Sequence, residues 1–358
     1  MTDLSSRTGS AAPSAPVANP IGIDGIAFVE FAAPSELGAD HLGAIFAALG
    51  FSRTLRHKRA AVELWTQGEC RFLVNRERDT FSARFAKEHG PSIPSMGWWV
   101  EDAQRAVEEA VRRGGKRWEG ASILPGTPAI EGIGGSLLYF VQKNARVIED
   151  RFVPDLKPKI VKTRGFTVID HLTNNVPKGT LATWRAFYRD VLGFTDVRTF
   201  DIHGAKTGLF SYALRSPCGK FCIPINEGTE SKSQIEEYLR EYKGAGIQHL
   251  ALLSDDLLAS LEGLREAGVQ TLDIDREYYA SVFDRVPGVV EDRGAIERAQ
   301  ILVDGDPEGY LLQIFTRNLI GPIFFELIQR RNHLSFGEGN FGALFRSIER
   351  DQERRGVL

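Results

Sequence analysis

The chain has 358 residues, which at roughly 150 residues per domain predicts about two domains and excludes a single small module. Its 44 Lys and Arg against 47 Asp and Glu give a net charge of -3, which leaves no footprint for nucleic acid or an anionic membrane. Hydrophobic residues make up 42%, ordinary for a globular protein, and no apolar run reaches the ~18 residues that suggest a membrane helix.

Residues 1–20 are rich in Ser, Ala and Pro, with neither a basic start nor an apolar stretch. They predict a disordered tail, no signal peptide, and a cytoplasmic location. A strand-like run then opens at Ile23-Asp24-Gly25-Ile26, and the helical stretch that follows ends in Leu49-Gly50-Phe51. Gly just past a helix, with a strand-forming aromatic next, is a C-cap signature. A second run, Met96-Gly97-Trp98-Trp99-Val100, leads to Glu101-Asp102, with Gly114 twelve residues after Asp102. The strand-like Leu137-Leu138-Tyr139-Phe140-Val141 follows the turn signal Gly134-Gly135.

Pro154-Asp155-Leu156-Lys157-Pro158-Lys159 reads as a linker, and beyond it the pattern repeats. Ile169-Asp170-His171-Leu172 echoes the first run, and Leu192-Gly193-Phe194 echoes the first cap. Leu250-Ala251-Leu252-Leu253 leads to Asp255-Asp256, and Gly268 again stands twelve residues after Asp256. Leu311-Leu312-Gln313-Ile314-Phe315 closes the second series. The unit is a strand, a helix and several more strands. Two units make a half, and the expected division is a tail over 1–20, a first domain over 21–155 and a second over 156–358. Cys70, Cys218 and Cys222 are too few and too irregularly spaced for a disulfide framework, and no nearby His completes a zinc site. Inert thiols are expected.

The differences between the halves carry the chemistry. Matching the echoes sets Gly25 against His171 and Ser95 against His249, so only the second half has a histidine in both opening strands. The other five, His41, His57, His89, His203 and His333, read as surface or turn residues. A single His in an apolar strand is usually a hydrogen-bonded core residue. Equivalent placement in paired repeats points instead to two ligands on neighbouring strands. A carboxylate is available in Ile323-Phe324-Phe325-Glu326-Leu327-Ile328, where alternation puts Phe324, Glu326 and Ile328 on one face. A buried, ionised Glu needs a partner or a metal. A solvent-exposed face, or an ion pair with Arg330, would satisfy it equally. Two imidazoles and one carboxylate leave coordination positions open, which suits non-haem Fe(II), with zinc and manganese as chemical alternatives.

At this point the second half resembles the 4-hydroxyphenylpyruvate dioxygenase family of the vicinal oxygen chelate superfamily. The resemblance rests on Val168-Ile169-Asp170-His171-Leu172-Thr173-Asn174-Asn175, Pro224-Ile225-Asn226-Glu227, Lys232-Ser233-Gln234-Ile235 and Gly244-Ala245-Gly246-Ile247-Gln248-His249-Leu250-Ala251. Leu311-Leu312-Gln313-Ile314-Phe315, Phe324-Phe325-Glu326-Leu327-Ile328-Gln329-Arg330 and Phe336-Gly337-Glu338-Gly339-Asn340-Phe341 extend it. It covers nearly the whole chain from about Pro20 and is weaker in the first half. The implied fold is α+β: four βαβββ-type modules forming two open, barrel-like halves, closed by a C-terminal lid helix.

The resemblance implies one Fe(II) per chain on His171, His249 and Glu326. It implies catalytic contacts from Ser211, Asn226 and Gln234, and substrate contacts from Pro224, Gln248, Gln313, Phe315, Phe324, Asn340 and Phe341. Neutral amides suit a phenol hydroxyl and aromatic rings suit its flat face, although a strand Gln can equally be a satisfied core amide. The implied activity converts 4-hydroxyphenylpyruvate and O2 to homogentisate and CO2, in a cytoplasmic homo-oligomer (dimer or tetramer), with no nucleic acid and no membrane as partner. Hydroxymandelate synthase, with the same substrate and metal, is the alternative. More distant are an extradiol catechol dioxygenase and a non-catalytic binding protein of the same superfamily.

The C-terminal segment has Phe341, Leu344, Phe345 and Ile348 at helical spacing, with Arg346, Glu349, Arg350 and Asp351 on the other side. By itself this is a docking helix. The resemblance makes it a lid, with Gly337 and Gly339 as flanks that let it move.

Overall fold

The computed structural model describes residues 18–37, 40–122, 124–204 and 206–357, apart from the side chain of residue 149. All but the last three residues of the expected tail lie outside these. Asn19 is already tied down, its side chain bonded to both the N–H and the C=O of Ile23.

The first half contains β1 (Ile23–Ala32), α1 (His41–Ala48), β2 (Ser52–His57), β3 (Val62–Gln67), β4 (Cys70–Asn75), α2 (Phe81–His89), β5 (Ser92–Val100), α3 (Ala103–Arg112), β6 (Ala129–Glu131), β7 (Leu137–Gln142), α4 (Val147–Arg151) and β8 (Phe152–Lys159). The second contains β9 (Phe166–Val176), α5 (Leu181–Ala186), β10 (Thr195–His203), β11 (Gly208–Arg215), β12 (Cys222–Gly228), α6 (Gln234–Tyr242), β13 (Gly246–Ser254), α7 (Leu257–Glu266), α8 (Arg276–Arg285), α9 (Arg293–Ala299), β14 (Leu302–Asp306), β15 (Gly309–Phe315), β16 (Phe324–Arg331) and α10 (Phe341–Arg354).

Each half is a curled eight-stranded sheet, ordered β6-β7-β5-β1-β4-β3-β2-β8 and β10-β11-β12-β9-β13-β16-β15-β14. In each, two central antiparallel strands (β1 with β5, β9 with β13) are flanked by parallel neighbours, which is the pseudo-twofold that four modules generate. The local signals behave as their chemistry requires. Asp102 and Asp256 cap α3 and α7, accepting from the backbone N–H of Arg105 and Ala259. Gly50, Gly114, Gly193 and Gly268 take the positive φ that closes a helix.

The register corrects the matching of the repeats. Strands β5 and β13 are both nine residues long and hold equivalent places in their sheets, so Ser95, fourth in its strand, stands where His249 stands. On β13, Ala251 pairs with His171 on one side and Glu326 on the other. On β5 the equivalent Gly97 pairs with Phe28 and Tyr139. The counterpart of His171 is therefore Phe28, not Gly25, and that of Glu326 is Tyr139. Bulges in the β1–β5 and β9–β13 ladders shift the strands along each other, so a short sequence echo slides by three residues.

One hydrophobic core runs through both halves. Trp98 of β5 meets Tyr188, Phe194 and Phe221, and Phe72 of β4 meets Phe325 of β16. The hollow of the first sheet is filled by a second cluster with Phe28, Leu64, Leu73, Leu137, Tyr139 and Val141. The only carboxyl group buried there among the described residues is that of Glu30, on strand β1, bonded to Asn75 (2.7 Å), Ser82 (2.6 Å) and Ser95. Burial pushes its carboxyl up despite these bonds.

Three local expectations are corrected. The expected linker over 154–159 is part of β8, the edge strand beside β2, where Pro154 and Pro158 leave no ladder bond unmade. His57 and His89 are buried rather than at the surface. His57 Nδ1 accepts from the N–H of Arg59 and Ala60, and His89 Nδ1 bonds the carbonyl of Tyr242, fastening α2 to α6. The three cysteines are free, and burial pushes the Cys70 thiol up to about 12.

Candidate metal centre and its pocket

Neighbouring strands β9, β13 and β16 each turn one donor into the hollow of the second sheet. His171, His249 and Glu326 are all buried, and their ligand atoms lie within 4.8 Å of one another. His171 Nε2 is 3.1 Å and His249 Nε2 3.5 Å from the same oxygen of Glu326. The outer nitrogens are held elsewhere: His171 Nδ1 lies 2.8 Å from Asp170 and His249 Nδ1 3.2 Å from Gln248 Oε1. Each imidazole is thus oriented with Nε2 inward. The bland partner for Glu326, Arg330, is committed to Asp170 instead.

Electrostatics agree with a cation site. Burial opposes charge on Glu326, but the charge of His171 and bonds from both imidazoles take its carboxyl down to about 2. Burial likewise opposes charge on His171, but Glu326 and Asp170 together raise it to about 9. At His249 burial prevails and the imidazole is lowered. A carboxylate kept ionised beside two inward nitrogens is a donor set that fits one divalent cation.

The triad borders a cavity with about 660 Å³ of empty space, some of it continuous with solvent. Ser211, Pro224, Asn226, Gln234, Gln248, Gln313, Phe315, Phe324 and Phe341 all line it, as do the three triad residues. A wider cleft, with about 1360 Å³ of empty space beside α7 and α9, is an open groove lined mostly by charged side chains. Several elements reach the cavity by identifiable means. A register shift between Ile247 and His249 lets Gln248 and His249 both face it. Ser233 caps α6, accepting from Glu236 N–H, which fixes Gln234 as the first helical residue. Asn226 donates to the fully buried Asn175 at 3.3 Å. Phe324 stacks on His249, with ring centroids 4.8 Å apart.

Gln313 is buried at 1% exposure, and neither its Nε2 nor its Oε1 meets a partner among the described residues. Gly337 lies against this amide: a Cβ there would collide with Gln313 Oε1. Its φ of 78° and this close approach both favour glycine at that position. Gly339 is pinned similarly, its N–H bonded to Asp304 at 3.0 Å.

Asn340 is the one expected contact that the cavity does not include. It is fully buried at the start of α10, with Oδ1 accepting from Tyr278 (2.7 Å) and Arg285 (3.3 Å). Phe336 and Phe341 form the wall beside it. On α10 the expected face is observed, with Phe341, Leu344, Phe345 and Ile348 all lining the cavity. Glu349, which helical spacing places on the other side, is buried and accepts from the N–H groups of Lys206 and Thr207. Phe200 also lines the cavity, edge-on to Phe336 and Phe341, and nothing in its sequence context distinguished it.

An open, duplicated βαβββ scaffold with a His–His–Glu set on three adjacent strands defines a metal-dependent enzyme of the vicinal oxygen chelate type. Comparison with known proteins narrows the class. Residues 17–150 match the pattern for the N-terminal part of hydroxyphenylpyruvate dioxygenase, and residues 168–314 match the glyoxalase, bleomycin resistance protein and dioxygenase superfamily. The chain is 54% identical to "Protein MelA" of Shewanella colwelliana, over 95% of this chain and 99% of the relative. It is 44% identical to the 4-hydroxyphenylpyruvate dioxygenase of Legionella pneumophila, over 95% and 98%. A solved mutant of 4-hydroxymandelate synthase from Streptomyces coelicolor shares the fold, with a TM-score of 0.78 at 24% identity over 92% of this chain and 99% of that one. The chain belongs to the 4-hydroxyphenylpyruvate dioxygenase family.

Proposed function

We propose that this chain oxidises 4-hydroxyphenylpyruvate with O2 to homogentisate and CO2, using one Fe(II) held by His171, His249 and Glu326. The observation that carries the reading is the triad set in a cavity of neutral amides and aromatic rings. No Lys or Arg is among the residues that line it. A 2-oxo acid entering this cavity finds no Lys or Arg, so its carboxylate is balanced at the metal. When bound, the iron supplies the oxygen activation and the redox chemistry.

The chain's own residues bind, orient and exclude. Ser211, Asn226, Gln234, Gln248 and Gln313 offer uncharged donors and acceptors to the substrate's oxygens. Phe315, Phe324, Phe336 and Phe341 hold its ring by edge and offset contacts. Asn175 steadies Asn226, and the cap on α6 steadies Gln234. Helix α10 covers the cavity with four apolar side chains and keeps water from the reacting centre. Asn340 supports that helix from behind.

We also place the enzyme in the cytoplasm as a homo-oligomer. None of the described helices is long and apolar enough to cross a membrane. Leu156 (85% exposed) and Ile160 (66%), on or just beyond edge strand β8, offer the first half as a contact surface.

The test is to load anaerobically purified protein with Fe(II), add substrate, and follow oxygen uptake and product. Homogentisate is expected. Hydroxymandelate would reassign the chain to side-chain hydroxylation, and no oxygen uptake by folded, iron-replete protein would sink the proposal.

A further inference from the structure

One arginine ties the candidate metal centre to the segment that closes the cavity. Strand periodicity puts Glu326, Ile328 and Arg330 of β16 on the same face. Glu326 enters the triad, and four residues on Arg330 lies just behind it. Arg330 is largely buried, with a side chain only 12% exposed. Its Nε and Nη2 grip Asp170 bidentately, at 2.7 and 2.8 Å. The same Asp170 lies 2.8 Å from Nδ1 of His171. Asp170 therefore stands between a candidate ligand and a guanidinium.

The remaining nitrogen, Nη1, points the other way. It donates to the carbonyls of His333 (3.1 Å) and Ser335 (2.7 Å), in the connection between β16 and α10. The next residue, Phe336, sets its ring edge-on to His171 with centroids 5.6 Å apart and lines the cavity. Five residues later α10 begins, at Phe341. The guanidinium thus bonds the ligand's supporting carboxylate on one side and the approach to the lid on the other.

We propose that Arg330 is a positioning residue with two ends: through Asp170 it fixes the tautomer and ring plane of His171, and through His333 and Ser335 it holds Phe336 and the start of α10 over the cavity. The first end rests on the metal reading above. The second end rests on backbone contacts alone. A planar fork is required, because a lysine ammonium can neutralise Asp170 but cannot also span to two carbonyls.

A plain structural ion pair would leave metal affinity unaffected, so the test reads affinity and local order rather than turnover. Wild type, Arg330→Lys and Arg330→Met are titrated with Co(II), and backbone amide exchange is followed over residues 333–341. Arg330→Met is expected to bind Co(II) roughly 10–100-fold more weakly, the usual consequence of losing support behind a ligand, and to exchange faster over 333–341. Arg330→Lys is expected to recover most of the Co(II) affinity while exchange over 333–341 stays fast. Should Arg330→Met fail to fold because it strands a buried carboxylate, Asp170→Asn combined with Arg330→Met removes both charges and carries the same expectation. Wild-type behaviour of the Met variant in either readout overturns the two-ended role. Wild-type protein that binds no Co(II) would overturn the metal reading instead, which is a separate result.

Discussion

Gln313 should trade stability for recognition, and replacing it separates the two. Gln313→Met keeps the length of the side chain and removes the amide. In the structure both amide atoms are buried without a protein partner among the described residues. A buried polar group left unpaired costs about 1–3 kcal/mol. The low end applies because the amide borders a cavity, so the Met variant should be about 1 kcal/mol more stable than wild type without substrate. With substrate the balance reverses, because a neutral hydrogen bond contributes about 1 kcal/mol net and a partner left unpaired adds to the loss. Together these weaken binding by roughly tenfold, since about 1.4 kcal/mol corresponds to a factor of ten. Urea unfolding of substrate-free protein measures the first effect, and anaerobic substrate titration of metal-loaded protein measures the second. A variant less stable than wild type that binds substrate equally well would refute the reasoning, because the amide would then be a satisfied structural group.

His171→Ala should lose bound iron while keeping the far-ultraviolet circular dichroism of wild type; unchanged iron content would remove His171 from the ligand set. Glu30→Gln should melt higher than wild type at neutral pH. The folded state holds the Glu30 carboxyl above its ordinary 4.5, so its contribution is complete below that value and declines as pH rises through the folded value. The Gln variant escapes this decline, and its advantage should shrink as pH falls towards about 4; a melting point lower at every pH would refute the assignment. Gly97→Ala should destabilise by about 1–3 kcal/mol through overpacking, because the new Cβ would sit 2.7 Å from Cδ1 of Phe28 and closer still to Cε1. Adding Phe28→Leu should recover part of that loss, and strictly additive effects would show that the two do not touch.

What the sequence made legible follows from which signals are local. Caps and stops depend on a few neighbouring residues, so the Asp102–Gly114 and Asp256–Gly268 spacings mark their helices correctly. Period-two alternation was enough to put Phe324 and Glu326 on one face, and helical spacing was enough to find the cavity face of α10. Register is not local. Bulges hid Phe28 as the counterpart of His171, because a ladder shift leaves no trace in a short motif. Burial of His57 and His89 depends on β8 and α6, which lie far along the chain. Pro154 and Pro158 suggested a linker, since an edge strand that needs few donors has the same composition. Phe200 reaches the cavity from a strand whose sequence is mostly polar, and Asn340 is held outside its lining because Tyr278 and Arg285, distant in sequence, claim its side-chain carbonyl.

The apolar filling of the first sheet bears on how this duplicated chain could change. Three positions separate the two hollows: Phe28, Ser95 and Tyr139 against His171, His249 and Glu326. Changing any one of them alone to its counterpart would put a lone imidazole or carboxylate among packed rings, which destabilises the fold. A carboxylate placed at Tyr139 would also meet a second buried carboxyl, that of Glu30. A stepwise route from packed rings to a metal site therefore runs uphill at every single change. Packing fills all three positions, so the stability of the core itself stands against a metal site in the first sheet.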